Sequence, residues 1–502
     1  MFTQKEINFI ESKGISIDEF QQQLQQFQAG FPFINIIKPA AINEGIINMD
    51  QSIIHQYSYK FEENSKTKSI INFVPASGAA TRMFKDLYEY AARPTDEPKH
   101  EVFRFFENIS KFPFYNDLKD CLNKDDLDLD DLLDHKEYST IIDYVLTHKG
   151  LNLGNKPKGL LKFHRYDTGC RTAIEEHLVE TVSYITSLTN TVNLHFTVSP
   201  EHVNQFVEYI NKVKDKYEER FKVHYNISFS IQSPSTDKIA VDSNNFPFRD
   251  ETGNLLFRPA GHGALLSNLN GLDADVVFIK NIDNIAPDHI KESTIQYKKV
   301  LGGLLLSYEK KIFRYLNLLD EDANPVLLDE IAVFLEKRLN VIPSKDSLDD
   351  QQSRIIYFRE KLDRPIRVCG VVKNEGEPGG APFWVANQDG SMSLQIVESS
   401  QVNHEDEMQE IVFRNSGYFN PVDIVCGLKN YKGKKFNLMK YSDPLAGIIT
   451  RKTWKGKQIK VQELPGLWNG SMSDWNTILV EVPISTFTPV KSINDLLRKE
   501  HQ

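Results

Sequence analysis

The chain has 502 residues, of which 40% are hydrophobic and 25% charged, and it carries a formal net charge of -10. That is an ordinary globular balance, long enough for a large core and more than one structural unit. The acidic excess argues against a nucleic-acid or anionic-membrane partner, although local basic pockets can still take a small phosphate ligand. No apolar run approaches the roughly 20 residues of a membrane span, and the N-terminus lacks a signal-peptide core. The four cysteines, Cys121, Cys170, Cys369 and Cys426, form no Cys-x-x-Cys pair. Their spacing suits reduced thiols in a cytoplasmic protein, not disulfides or a zinc site.

Residues 1–65 read as an N-terminal helical extension with a Gln-rich stretch from Gln21 to Gln28. Ile70-Ile-Asn-Phe-Val74 is the first core strand. It runs into the small-residue loop Pro75-Ala-Ser-Gly-Ala-Ala-Thr-Arg82 and a helix predicted over 83–92. That succession can aim backbone N–H groups at a phosphate, although the P-loop pattern is absent. Residues 93–153 read as helices enclosing the acidic run Asp125 to Asp134. Its alternating leucines and missing turn glycine favour a solvated helical face over a calcium loop. Lys156-Pro-Lys-Gly159 leads to a helix from about Arg171 to Leu188, a strand over Asn193–Val198, a helix over 201–220 and a strand over Ile227–Gln232.

The most informative stretch runs from Arg258-Pro-Ala-Gly-His-Gly263 through the strand Val276–Ile279 to Asn281-Ile-Asp-Asn284. A short apolar run bounded by turn residues fits a strand covered on both faces. Ligands gather outside the carboxyl ends of strands in open α/β sheets, so Asp283 sits where a carboxylate could hold a metal against a phosphate. A plain turn cap is the alternative. Helices are predicted over 293–318 and 325–340, a strand-rich region over 365–490 and a short closing helix over 492–499. Strands alternating with helices imply an α/β fold with a doubly wound, mostly parallel sheet. The chain has no Gly-x-Ser-x-Gly elbow and no His-Glu-x-x-His, which argues against a serine hydrolase or zinc peptidase.

Taken in order, these motifs resemble the UDP-sugar pyrophosphorylases, nucleotidyltransferases with a glycosyltransferase-A-type core. Pro75-Ala-Ser-Gly-Ala-Ala-Thr-Arg-Met83 resembles the family's glycine-rich nucleotide loop, and Lys156-Pro-Lys-Gly159 its Pro-Lys-Gly element. Phe229-Ser-Ile-Gln232 is similar to the uracil-reading strand, and Pro259-Ala-Gly-His-Gly263 to the base-binding loop. Thr486-Phe-Thr-Pro-Val-Lys491 resembles the Phe-x-Pro-Val-Lys signature. The resemblance covers about 420 residues and implies a core over 66–502 with a helical insert at about 93–153 and a sugar side at 365–490. It implies nucleotide contacts from Ser77, Gly78, Thr81, Gln232, Gly261, His262 and Gly263. Catalytic roles fall to Arg82, Lys158 and Lys491, an Mg²⁺ to Asp283, and sugar contacts to Glu398 and Asn420. The chain departs from the family in three places. Its loop keeps only Gly78, some 75 residues separate Arg82 from Lys158, and Glu375-Gly-Glu-Pro-Gly-Gly-Ala-Pro-Phe383 is richer in glycine.

These residue types suit nucleotidyl transfer. A sugar 1-phosphate is already anionic, so attack on the α-phosphorus of an NTP needs positioning and charge stabilisation, not a general base. Arginine grips oxygens bidentately, lysine acts as a point charge, and Mg²⁺ takes one or two carboxylates while keeping waters. The expected activity is transfer of a nucleoside monophosphate, UMP by the resemblance, from UTP to a sugar 1-phosphate with release of pyrophosphate. A nucleotide-sugar glycosyltransferase and a non-catalytic nucleotide- or sugar-binding protein are the alternatives.

Overall fold

Mixed α/β architecture emerges from short apolar strands set between amphipathic helices. The computed structural model describes residues 2–78, 80–95, 97–185, 187–321, 323–344, 348, 350–376 and 379–502. The chain divides into two units, one of residues 1–70, 232–279 and 299–482, the other of residues 71–231, 280–298 and 483–502.

In the first unit, strands Ala41–Ile42, Gly45–Ile47, Asn476–Glu481 and Ile366–Lys373 pair in parallel in that order, and Tyr418–Gly427 joins antiparallel. Val276–Lys280 lies beside Tyr418–Gly427, and all five of its residues are buried, as its continuous apolar run predicts. Two smaller antiparallel sheets accompany this one. Ile36–Pro39, Ala381–Ala386 and Met392–Val397 form the first. Phe257–Arg258, Lys238–Val241, Lys457–Glu463 and Ile448–Trp454 form the second.

The N-terminal residues are therefore not a purely helical extension. Helices Gln4–Ser12, Ile17–Ala29 and Gln51–Asn64 flank three short strands, and two of these pair with strands more than 300 residues later in the chain. Single β-branched pairs such as Ile46-Ile47 are too short to show a period of their own, so only their distant partners define them. Ile10, Ile15, Phe20 and Phe27 pack against Ile239, Val241 and Leu255.

In the second unit, Ile70–Pro75, Thr191–Val198 and His224–Ile231 form an all-parallel ladder, with Val74 opposite Phe196 and Phe196 opposite Phe229. Between residues 100 and 146 lie helices His100–Glu107, Tyr115–Asn123, Leu129–Asp134 and Tyr138–Leu146. His100–Glu107 buries Val102, Phe105 and Phe106, the one-face spacing of an amphipathic helix. The acidic run is surface and cap: Asp128 caps Leu129–Asp134 by accepting from the Asp130 and Asp131 N–H groups, and Asp130 pairs with Lys119 at 2.9 Å.

Four elements differ from expectation. The helix after the first loop starts at Lys85, preceded by a single 3₁₀ turn over Ala80–Arg82. A hairpin, Lys162–Tyr166 with Gly169–Thr172, precedes a helix that ends at Thr181. The closing helix is two short 3₁₀ turns, Ile493–Leu497 and Lys499–His501. Helix Gln351–Leu362 was not foreseen. In the glycine-rich stretch Glu375–Phe383, Glu377 and Pro378 lie outside the described residues, as does Ala79 of the first loop.

Candidate active site

Four stretches of the second unit are stitched to one another by main-chain hydrogen bonds. The Ile282 N–H donates to the Pro75 carbonyl at 3.2 Å, which joins the Asn281–Asn284 turn to the start of the small-residue loop. The Lys158 N–H donates to the Gly78 carbonyl at 3.4 Å, and the Ala80 N–H to the Lys156 carbonyl at 3.4 Å. From the C-terminal stretch, the Val490 N–H reaches the Asp283 carbonyl at 3.0 Å and the Thr488 N–H reaches Asn284 Oδ1 at 3.0 Å. The Ile493 N–H closes the set on the Met83 carbonyl at 3.0 Å. Arg82, Lys158, Asp283 and Lys491 are thus each within two residues of a bond that ties their stretches together.

Lys158 Nζ donates to Asp283 Oδ2 at 2.7 Å, with the two side chains 12% and 23% exposed. Arg82 is exposed and, among the described residues, makes no side-chain hydrogen bond or ion pair. Lys491 is exposed, and its Nζ lies 5.7 Å from the centroid of the Phe487 ring. Ser77 is half-buried, while Gly78 and Thr81 are exposed. A side chain at position 78 would project into open space, so the one glycine the loop retains is not forced by packing.

The turn that carries Asp283 rests on buried polar groups that the sequence reading passed over. His177 is fully buried, and its Nε2–H donates to the Ile282 carbonyl at 3.2 Å. Its Nδ1 is buried without a hydrogen-bond partner, which places the proton on Nε2. Burial lowers its pKa to about 4, so the ring is neutral. One turn along the same helix, Glu180 accepts both bonds of Lys280 Nζ at 2.8 and 2.9 Å, in a pair with almost no exposure. Burial opposes that carboxylate, but Lys280, with help from Lys298, holds its pKa below the ordinary value.

Glu176 is the hub of a second network. Its Oε1 accepts from Tyr166 at 2.6 Å and lies 3.0 Å from His164 Nδ1; its Oε2 accepts from Lys291 at 2.7 Å and Arg171 at 3.4 Å. Arg171 also grips Asp288 bidentately at 2.8 Å on each arm. All nine residues of helix Ala173–Thr181 are buried, three glutamates among them. The clue in the sequence was Thr172-Ala-Ile-Glu-Glu-His177, a capping box running straight into apolar neighbours.

In the first unit, His262 is stacked on Trp468 with centroids 4.2 Å apart and planes at 14°. Its Nδ1 accepts from the Leu467 N–H at 3.0 Å, which leaves Nε2 to face Glu398 Oε1 at 3.5 Å. Two residues expected to touch nucleotide and sugar are therefore neighbours. Hydrogen bonds from His262 and Asn469 draw the Glu398 pKa down against the opposing effect of burial. The flanking glycines are sterically required: a Cβ at Gly261, where φ is +75°, would lie 2.8 Å from Glu463 Oε2, and one at Gly263 would lie 2.1 Å from the Pro465 carbonyl oxygen. Gln232 is half-buried, and its Nε2 donates to Thr236 Oγ1 at 3.3 Å. Asn420 is buried, donating to the Gly370 carbonyl at 2.7 Å and accepting from the Val422 N–H at 3.1 Å. Its amide thus holds the backbone where Val422 takes a φ of 62°.

The protein thus has a mostly parallel α/β fold whose loops bring Lys158 onto Asp283, with Arg82 and Lys491 on the adjoining stretches. The chain belongs to the family described as "Domain of unknown function (DUF4301)", which it matches over residues 3–502. No curated protein matches it. It is similar to the solved structure of the uridine diphosphate N-acetylglucosamine pyrophosphorylase from Trypanosoma brucei, at 11% identity over 94% of this chain and 72% of that one, with a TM-score of 0.48. It is also similar to a UDP-glucose phosphorylase from Trypanosoma brucei, at 14% identity over 98% and 77% of the two chains, with a TM-score of 0.46. A third likeness is to the UDP-glucose pyrophosphorylase from Leishmania major, at 12% identity over 98% and 78%, with a TM-score of 0.41. Among the described residues, no helix is long and apolar enough to cross a membrane.

Proposed function

We propose that the protein is a nucleotidyltransferase that moves UMP from UTP to a sugar 1-phosphate. The observation that carries this reading is the Lys158–Asp283 contact at 2.7 Å, on stretches hydrogen-bonded to those of Arg82 and Lys491. An oxygen of the sugar phosphate forms the new bond to the α-phosphorus, the bond from that phosphorus to the β-phosphate oxygen breaks, and pyrophosphate leaves with its electron pair. No proton need move at the attacking oxygen, so the residues required are cations and a scaffold that holds them. Arg82 would grip phosphate oxygens with two N–H groups, while Lys158 and Lys491 would neutralise charge as it shifts to the leaving group.

Asp283 would hold Mg²⁺. Among the described residues no group of three or more His, Cys, Asp and Glu is placed to hold a metal. One carboxylate already facing a cation, the Lys158 ammonium, fits an ion that draws its other ligands from water and substrate phosphates. When bound, the ion would supply charge neutralisation on the phosphates.

In this reading, Gln232 and the Gly261–Gly263 loop would read the base, and Glu398 would contact the sugar, with a glycosyltransferase-A-type core as the frame. Asn420 would shape the strand beside it. Phosphorus NMR of the full chain with UTP, Mg²⁺ and a panel of sugar 1-phosphates tests the proposal. A new diphosphate diester with pyrophosphate supports it. Appearance of UDP from a UDP-sugar and an acceptor, without pyrophosphate, would make the protein a glycosyltransferase instead.

A further inference from the structure

A cavity of ≈ 300 Å³ opens in the second unit, walled by apolar side chains including Phe84, Phe114, Leu153, Leu161 and Leu496. That size is at the small end of ligand pockets, which are mostly apolar with a few placed polar groups. Two lysines and one aspartate share the lining. Lys162 is neutralised by Asp117 at 2.5 Å. Lys156 has no such partner: among the described residues its Nζ makes no hydrogen bond or ion pair, although it is half-buried. Burial holds its pKa below the usual lysine value, with Asp117 pulling the other way and Lys162 adding to the fall. A cation partly withdrawn from water beside an apolar cavity, without an anion of its own, is an arrangement that a bound anion would relieve.

We infer that this cavity is a binding site for a small apolar carboxylate, its body among the phenylalanines and leucines and its carboxylate on Lys156. Charge complementarity selects the occupant. A neutral hydrocarbon would leave Lys156 unpaired, and an inorganic anion would leave the apolar wall exposed. The site is distinct from the proposed phosphate cluster, yet three stretches of its wall continue into that cluster: Met83 follows Arg82, Lys156 lies two residues before Lys158, and Ile493 lies two after Lys491.

The test is calorimetric titration of the full chain, without nucleotide, with octanoate and with uncharged octanamide of the same length. Octanoate should bind saturably at one site per chain and at least about tenfold more tightly than octanamide, the discrimination expected of a charge-assisted contact. Lys156→Met, which keeps the stem and removes the charge, should erase that difference and raise Tm. Leu160→Trp, which fills the cavity from a half-buried position, should abolish binding of both, and it decides the matter should the lysine variant misfold. Absence of saturable octanoate binding, equal affinity for the two ligands, or undiminished octanoate binding in both variants would overturn the proposal. Because no nucleotide is present, failure here leaves the nucleotidyltransferase reading standing.

Discussion

Lys158 Nζ donates to Asp283 Oδ2 at 2.7 Å across 125 residues of sequence. Neither side chain is fully withdrawn from water, so the pair contributes modestly to folding. Lys158→Met and Asp283→Asn should each lower stability by on the order of 1–2 kcal/mol in urea unfolding. If the pair serves the chemistry, each should lower kcat by about two or more orders of magnitude, the range of single electrostatic stabilisers. Nucleotide affinity should fall much less. Lys491→Ala should behave likewise, and pairing it with Asp283→Asn should do less damage than the product of the singles. Equal losses in kcat and stability across these variants would reduce the pair to a structural contact.

His177 positions that carboxylate through the Ile282 carbonyl and stays neutral because burial lowers its pKa to about 4. An unfolded histidine titrates near 6.5. The stability that neutrality contributes is therefore complete above about pH 6.5 and is lost as pH falls through 4. His177→Phe should flatten that part of the pH–stability curve, with His195 and His501, whose pKa values are also lowered by burial, supplying the remaining slope. The variant should also lower kcat, with the loss insensitive to pH above 6.5. A curve between pH 4 and 7 parallel to that of the wild type would contradict the assignment.

Glu309 works in the opposite direction. It is 6% exposed, and burial pushes its pKa up to about 8, reinforced by Asp275 and opposed by Lys68. With the folded value above the unfolded one of about 4.3, its contribution is complete below that pH and lost as pH rises through 8. Glu309→Gln, neutral at every pH, should be more stable than wild type at pH 8 by on the order of a few kcal/mol and similar at pH 4. Gly427→Ala should destabilise at both pH values, since its Cβ would sit 1.9 Å from Glu309 Oε1 and 2.9 Å from Ile366 Cγ2. Guanidinium melts at pH 4 and 8 check both.

Glu176 offers the largest expected loss. Glu176→Ala leaves both Lys291 and Arg171 only Asp288, and breaking a buried ionic network typically costs about 3–5 kcal/mol. A Tm unchanged from wild type would show that the network relaxes without it.

Legibility in the sequence followed the range of the interactions. The strands Ile70–Pro75 and Val276–Lys280 were readable as short, mainly apolar runs and Thr191–Val198 by its apolar–polar alternation, signals that need no partner to be recognised. The stretches bearing Arg82, Lys158, Asp283 and Lys491 were readable as motifs, whereas their mutual hydrogen bonds depend on contacts far apart in sequence. His177 and Glu176 were invisible as polar supports because charged residues on a helix ordinarily face water; only the burial of every position in Ala173–Thr181 reveals them. The hairpin Lys162–Thr172 was hidden by a charged, turn-rich sequence without strict alternation, and the N-terminal strands by their brevity.

Base preference separates the uridine reading from the broader one. Gln232→Ala should narrow a preference for UTP over ATP by roughly 1–3 kcal/mol, the cost of an unpaired polar contact, in competition binding. A wild-type preference for ATP would retire uridine and leave nucleotidyl transfer in place.

The most direct measurement is pyrophosphate release by the wild type and Asp283→Asn proteins, with Mg²⁺, UTP and a panel of sugar 1-phosphates. The wild type should release pyrophosphate only when both UTP and one of the sugar 1-phosphates are present, and the rate should drop about a hundredfold or more in the variant. Wild-type protein that binds UTP with Mg²⁺ but releases no pyrophosphate with any sugar 1-phosphate would contradict it and leave a nucleotide-binding protein without turnover.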